Sequence, residues 1–173
     1  MTNKKYLTKE QIDEITNSIP ELRDKAILQT AYFGGLRLYE LMELRRGDIK
    51  FGEETVKISL QDREITLVEP RKTMERYIDS YGISDNMERL WQTKKRDRLP
   101  RNYFNKIIEV AGETTRSEVN YNLLRQSRAI EMSENHTEMM IVSYFGWEER
   151  TAKKYRYIAQ NKILDPLGGL FDE

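Results

Sequence analysis

The sequence predicts a mostly helical α+β domain with a small antiparallel β-sheet near its middle. Apolar residues recur at helical spacing before residue 45 and again after residue 100. Between them lie three short strand-like runs, at residues 49–51, 55–59 and 64–68, separated by turn residues. Helices, then a small sheet, then more helices is the layout of an α+β domain.

Capping and breaking residues bound the first helices. Thr8 can cap the first helix and Gln11 can complete its capping box, while Pro20 ends it. The second helix has an apolar face that ends at Gly34-Gly35. A third, short helix follows at once.

Prolines bound the later helices. Pro70 can open the helix after the strands, and Pro100 precedes the next one, which a polar loop at 112–118 follows. The C-terminal tail, 161–173, contains proline and a glycine pair, and we expect it to be irregular and available for docking on a neighbouring subunit. The predicted helices span residues 8–18, 21–33, 39–44, 70–81, 102–111, 121–133, 137–145 and 149–160.

Composition excludes several classes of protein. A chain of 173 residues suits one domain, and the absence of cysteine rules out disulfides and thiolate metal sites. No apolar run is long enough to span a bilayer and the N-terminus lacks a signal-peptide core, so we expect a cytoplasmic protein. Because no glycine-rich nucleotide loop or acidic metal loop is present, we expect neither cofactor nor metal.

Basic residues are locally clustered although the net charge is +0, with 29 Lys and Arg against 29 Asp and Glu. One cluster lies at 94–106 and a second at 150–156. A neutral chain with such patches can bind DNA in a salt-sensitive manner. The candidate DNA-binding residues are Lys94, Lys95, Arg96, Arg98, Arg101, Arg128, Lys153 and Lys154.

The first candidate site residue is Arg37, which follows a Gly-Gly pair at the start of a short helix and has Glu40 three residues on. An arginine fork can hold two phosphate oxygens at once, so Arg37 is a candidate phosphate ligand oriented by Glu40. The alternative is a surface ion pair that contributes little to stability.

A second arginine lies in the predicted helix 121–133. Asn122 is one helical turn before Arg125, so both can face one site. The alternative is that Arg125 and Arg128 are solvated charges on the polar side of that helix.

A tyrosine lies among cations near the C-terminus. Tyr155 follows the pair Gly146-Trp147 by about two turns, within a basic stretch at 150–156. Such a tyrosine is a candidate nucleophile toward a phosphodiester, because cations can lower the pKa of the phenol and hold the phosphate. The alternative is an amphipathic helix with a surface tyrosine, since helical tyrosines usually keep the hydroxyl outward.

Taken in order, these motifs resemble the catalytic domain of the tyrosine recombinase (phage integrase) family. Residues 31–49 are similar to its first arginine box and are the most specific match. Residues 121–129 resemble the second box, usually His-x-x-Arg, and residues 145–155 resemble the closing Leu-Gly-His and Thr-x-x-x-Tyr pattern. The resemblance covers nearly the whole chain and implies an integrase-type catalytic domain over residues 1–160.

The resemblance implies cleavage and rejoining of DNA strands through a 3′-phosphotyrosyl intermediate, without cofactor or metal. Arg37 and Arg125 are then the arginines that neutralise the pentacoordinate phosphate, and Tyr155 is the nucleophile. Trp147 takes the position of a His or Trp that donates to the phosphate, and Glu40 orients the site from behind. The implied partners are double-stranded DNA and other copies of the chain on DNA, with no membrane.

Three departures from the family pattern bear on activity. Asn122 replaces the usual histidine and cannot accept the proton of the tyrosine. Lys57 is the nearest candidate for the family's hairpin lysine, a general acid, while Gln61-Asp62-Arg63 fills the turn. The interval from Trp147 to Tyr155 is one residue shorter than is usual in the family. Because one residue rotates a helical side chain by about 100°, Tyr157 is left as an alternative nucleophile.

These departures, with the neutral charge, keep a second function open: a catalytically degenerate relative that binds DNA or regulates. Family recombinases also carry an N-terminal domain that closes around DNA, whereas here Tyr6 already begins the catalytic domain, as expected of an excised fragment or a minimal protein. A helical protein–protein interaction domain is a third class, but it leaves the ordered arginine boxes unexplained.

Overall fold

The structure is a computed structural model that describes residues 6–164, with side chains to Asn161. Helices surround one three-stranded antiparallel sheet, so the α+β prediction is confirmed. A 3-10 turn at Arg46–Asp48 precedes the sheet. The elements are α1 Lys9–Ser18, α2 Leu22–Gly34, α3 Leu38–Glu43, β1 Ile49–Phe51, β2 Val56–Ser59, β3 Glu64–Leu67, α4 Arg71–Tyr81, α5 Arg101–Thr115, α6 Tyr121–Ser133, α7 Glu138–Phe145 and α8 Glu149–Leu164.

Two predicted helix ends were wrong. Helix α5 continues through Gly112 to Thr115 and ends where Arg116 adopts a left-handed conformation, φ 52°. The first four residues of the predicted loop 112–118 are therefore helical. Helix α8 continues to Leu164, and the first residues of the tail predicted to be irregular are therefore helical. The rest of that tail, 165–173, lies outside the described residues.

The sheet is a meander in the order β1-β2-β3. Alternate side chains of β2 and β3 are buried, with Val56 and Ile58 opposite Leu67 and Ile65. The period-2 pattern of the sequence therefore reports the buried face correctly. The β2–β3 turn, residues 60–63, projects from the end of this hairpin toward α7.

Helix α2 is the central element of the core. It packs against α4 and α6 and carries buried residues on nearly all sides, as expected of a helix without a polar face. A second apolar cluster joins α8 to α6 and α7. In α8 its members are Ala152, Tyr155 and Ala159, spaced so that they lie on one helical face.

Two glycines that end helices test how closely α2 approaches α7. Gly35 has φ +58° and a Cβ there would lie 2.2 Å from Phe145 Cε1, whereas at Gly82, φ +61°, the nearest atom would be 3.9 Å away. We expect Gly82→Ala to cost about 1 kcal/mol of unfolding free energy through backbone strain alone. Gly35→Ala should cost about 3 kcal/mol, because overpacking adds to the strain. Urea unfolding measures both, and equal losses would contradict the close contact.

Candidate active site

Arg37 is held at the start of α3 by Glu40. Helix α2 ends at Gly35, and the chain then places Arg37 in extended conformation as the residue before α3. The backbone N–H of Arg37 donates to Glu40 Oε2 at 2.8 Å, and its Nη1 donates to Oε1 at 3.2 Å. The Arg37 side chain is 35% exposed while that of Glu40 is 6% exposed. Glu40 therefore anchors Arg37 from the interior side and leaves part of the fork accessible.

Arg63 also binds Glu40, and sequence reasoning did not single it out. From the β2–β3 turn its Nη1 donates to Glu40 Oε1 at 2.7 Å and its Nη2 to Oε2 at 3.2 Å. Its Nε donates to the carbonyl of Tyr144 at 2.7 Å, at the end of α7. The side chain is only 5% exposed. The one available signal was its place in the turn where the family has a lysine.

The Glu40 carboxyl is ionised in these surroundings. Burial alone would raise its pKa, but the hydrogen bonds from Arg63 and from the backbone N–H of Arg37 outweigh burial, so the pKa lies below its ordinary value. One negative charge is thus shared between two guanidinium groups inside the fold.

Arg125 is buried, which excludes the reading of a solvated helix charge. It is 4% exposed on α6, and its Nη2 donates to the carbonyl of Phe145 at 2.5 Å. Burial, followed by the nearby charges of Arg37 and Arg63, lowers the pKa of Arg125 to about 10. The group is still a cation at neutral pH. Its Nε is buried without a hydrogen-bond partner among the described residues, so it retains donor capacity.

Three aromatic rings connect Arg125 to the candidate nucleophile. Trp147 stacks on Phe145 with ring centroids 4.5 Å apart and on Tyr155 with centroids 4.8 Å apart, at interplanar angles of 16° and 17°. The guanidinium of Arg125 lies over the Trp147 ring, 4.9 Å from its centroid. The indole of Trp147 therefore contacts both the guanidinium of Arg125 and the ring of Tyr155.

Tyr155 lies inside rather than on the surface. It is 7% exposed, and burial raises the pKa of its phenol although the charge of Arg125 opposes that rise. The expectation that neighbouring cations lower this pKa is thus wrong for the structure described. Tyr157 is 64% exposed on the other side of α8, and Arg156 makes an ion pair with Glu138 at 3.7 Å. Of these α8 side chains, Tyr155 is the one stacked on Trp147.

Two predicted catalytic residues lie outside this group. Asn122 is exposed on α6, and among the described residues no hydrogen bond joins it to Arg125. Lys57 is on the outward face of β2, where its Nζ pairs with Glu64 Oε1 at 3.3 Å. Arg63 occupies the interior side of the same hairpin instead.

Most of the predicted DNA-binding residues are exposed. Lys94, Lys95, Arg96, Arg98 and Arg101 lie in or just after the loop between α4 and α5, where Arg96 pairs with Glu88 and Arg98 with Glu43. Lys153 and Lys154 are exposed on α8, with Lys153 paired to Glu149 at 2.8 Å.

Arg128 differs from this exposed set. Its side chain is 19% exposed, pairs with Glu131 at 3.0 Å and lies 5.2 Å from the centroid of the Phe33 ring. The guanidinium therefore serves the packing of α6 against α2 in this structure.

The described residues contain no cluster of three or more His, Asp or Glu that could hold a metal ion. Within residues 6–164, none of the helices is both long and apolar enough to cross a membrane.

Two buried or half-buried arginines and a stacked tyrosine, presented by helices around a small sheet, define a catalytic domain of the tyrosine recombinase type. A model of the phage integrase family matches residues 5–162. The chain belongs to the phage integrase family. It is also similar to the type 1 fimbriae regulatory protein FimE of Escherichia coli K12, with 22% identity over 175 residues that cover 93% of this chain and 88% of FimE.

Solved structures share the fold. XerA recombinase superposes with a TM-score of 0.76 at 18% identity, over 96% of this chain and 64% of XerA. XerH in a post-cleavage complex with palindromic difH gives 0.75 at 16% identity, over 97% of this chain and 53% of XerH. A lambda integrase dimer bound to a COC′ core site gives 0.65 at 16%, over 87% and 47%. The chain thus spans less than two thirds of each of these recombinases.

Substitution of Glu40 tests the buried charge. Glutamine leaves the buried Arg63 with only the exposed Asp62 carboxylate, 2.9 Å away, as a counter-charge. We therefore expect Glu40→Gln to lower the unfolding free energy at pH 7 by about 2 kcal/mol. Glu75→Gln, which removes a half-exposed partner of Arg71, should cost about 0.5 kcal/mol. Urea unfolding measures both.

The pH dependence gives the sign of the effect. Because folding lowers the pKa of Glu40, its stabilisation is complete above the ordinary carboxyl pKa of 4.5 and is lost as the pH falls through the lower folded-state pKa. The stability difference between wild type and Glu40→Gln should therefore shrink below about pH 4.5. A difference that stays constant to about pH 3 would show that the carboxylate charge is not what stabilises this site.

Proposed function

We propose that this domain cuts and rejoins duplex DNA as a site-specific tyrosine recombinase, with Tyr155 as the nucleophile. The observation that carries the proposal is the aromatic stack, since it links Tyr155 through Trp147 to the buried Arg125. Arg125 and Arg63 bind adjacent carbonyls at the end of α7, and Arg63 shares the Glu40 carboxylate with Arg37. Membership of the phage integrase family supports the same reaction class.

The chemistry follows from these groups. The Tyr155 hydroxyl passes its proton to water and attacks the scissile phosphorus. A phosphotyrosyl bond to the 3′ side forms as the bond to the 5′ oxygen breaks, and that oxygen takes up a proton. Arg37 and Arg125 donate to the phosphate oxygens, where negative charge accumulates in the transition state. Reversal by a 5′ hydroxyl rejoins the strand and regenerates the tyrosine, so no energy source is consumed.

The proposed partner is double-stranded DNA, contacted through the exposed basic residues at 94–101 and through Lys153 and Lys154. Solved relatives support this part, since XerH is bound to difH and lambda integrase is a dimer on a core site. Self-association on DNA and a cytoplasmic location are included in the proposal. Docking of the tail 161–173 on a neighbouring copy stays a prediction.

A second candidate function is a relative that binds DNA without cutting it. It is favoured by the exposure of Asn122 and by the β2–β3 turn, where the buried Arg63 lies and the lysine candidate Lys57 points outward. Arg63 bonded to Glu40 cannot supply a proton to a leaving oxygen. This candidate predicts salt-dependent binding of duplex DNA with no covalent product.

One experiment separates the two functions. Nicked duplex DNA carrying candidate sites is incubated with wild type, Tyr155→Phe and Tyr157→Phe, and covalent protein–DNA adducts are counted after denaturing electrophoresis. We expect adduct with wild type and Tyr157→Phe and none with Tyr155→Phe, because phenylalanine lacks the attacking oxygen. Adduct that persists in Tyr155→Phe rules out Tyr155, and binding without adduct in wild type supports the non-cutting relative.

A further inference from the structure

The β2–β3 turn connects the two arginine-bearing parts of the site. Arg63 donates to Glu40, which binds Arg37, and to the Tyr144 carbonyl, which directly precedes the carbonyl bonded by Arg125. The geometry points to Arg63 as a positioning residue for strand cleavage, one that sets where Arg37 stands relative to Arg125. This inference rests on the proposed function and concerns a residue outside the predicted catalytic set.

The C-terminal end of α7 is the reference point for both arginines. The last carbonyls of a helix have no partner within the helix and carry the negative end of its dipole, so they attract guanidinium groups. Arg63 Nε donates to the Tyr144 carbonyl at 2.7 Å, and Arg125 Nη2 donates to the Phe145 carbonyl at 2.5 Å. Two adjacent carbonyls therefore hold two cations from different elements in fixed register.

The turn itself is seated closely against this helix end. A Cβ added at Gly146 would lie 2.9 Å from Asp62 Oδ2 and 3.4 Å from Arg63 Nη1. Because Gly146 precedes Trp147, the turn also abuts the start of the aromatic stack. A shift of the hairpin would thus move both the Arg37–Glu40 pair and the end of α7 that binds Arg125.

Glu40 divides its charge between Arg63 and Arg37. Arg63 donates to the Glu40 carboxylate at 2.7 and 3.2 Å, whereas the guanidinium of Arg37 donates to it only once, at 3.2 Å, and to the Tyr39 hydroxyl at 3.3 Å. The weaker contact leaves Arg37 able to turn toward a phosphate. Without Arg63, the whole carboxylate charge would act on Arg37, and a two-pronged pair would draw its fork away from the phosphate.

Arg63 acts through Glu40 rather than on DNA. All three of its guanidinium nitrogens are engaged and only 5% of the side chain is exposed. Burial would lower its pKa, but the carboxylates of Glu40 and Asp62 together outweigh burial and raise it above the ordinary value, so the proton stays bound. A residue so committed neither reaches a phosphate nor serves as a general acid.

Arg71, the first residue of α4, provides a matched control. Its Nε donates to the Gly52 carbonyl at 2.9 Å and its Nη1 to the Glu75 carboxylate at 2.9 Å. These are the same kinds of bond that Arg63 makes, but at the other end of the sheet. Loss of Arg71 removes equivalent interactions without touching Glu40.

The test measures single-turnover adduct formation on nicked DNA together with DNA affinity. We expect Arg63→Ala to slow adduct formation about 30-fold, equivalent to about 2 kcal/mol, while the Kd for DNA changes less than about twofold. Arg63→Lys should recover part of the rate, because it restores the charge but not the fork. Arg71→Ala should stay within about twofold of wild type.

A double substitution keeps the test valid if Arg63→Ala folds poorly. Glu40→Gln with Arg63→Met replaces the buried pair by neutral groups of similar volume. Because both changes break one link, the double variant should be no more than about threefold slower than Glu40→Gln alone. Independent, additive losses would overturn the inference, as would an Arg63→Ala rate equal to that of Arg71→Ala.

A structural readout separates this inference from the proposed function. If wild type forms no adduct, the recombinase assignment fails. A crystal structure of Arg63→Ala then tests whether Arg63 sets the position of Arg37. The inference predicts that both Arg37 nitrogens of the fork bind Glu40 in that variant. An Arg37–Glu40 contact unchanged from wild type would overturn the positioning role.

Discussion

A buried carboxylate shared by two arginines is the constraint on which the site depends. Glu40 accepts hydrogen bonds from the backbone and side chain of Arg37 and from the fork of Arg63. An ionised group with so little exposure is stable only while these partners are present. The start of α3 and the tip of the β2–β3 hairpin are therefore held together by charge as well as by packing.

The second constraint is the C-terminal end of α7, where backbone carbonyls bind Arg63 and Arg125 and where the aromatic stack begins. A stack of rings runs from that end into α8, with Phe145 on Trp147 and Trp147 on Tyr155. Arg63 takes part in both constraints. Its side chain therefore connects the first arginine box, the second arginine box and the helix that carries Tyr155. Distant stretches of sequence thus become one site by way of a turn.

Much of this organisation was predictable from local pattern. The spacing of Ala152, Tyr155 and Ala159 places Tyr155 on the packed face of α8 and leaves Tyr157 exposed, while the choice of Tyr155 as the nucleophile stays a prediction. The burial of Arg125 and the bonds of Arg63 were not predictable in this way, because their partners lie 20 to 81 residues away. Helix α5 outlasted its predicted end because Gly112 alone does not stop a helix.

The central claim is that Arg37 and Arg125 hold one phosphate in front of Tyr155. A crystal structure of Tyr155→Phe bound to duplex DNA tests it most directly. The account predicts a backbone phosphate with oxygens about 3 Å from both guanidinium groups and with the ring at position 155 facing its phosphorus. Duplex bound only through the exposed basic loop, with neither arginine in contact with a phosphate, would contradict it.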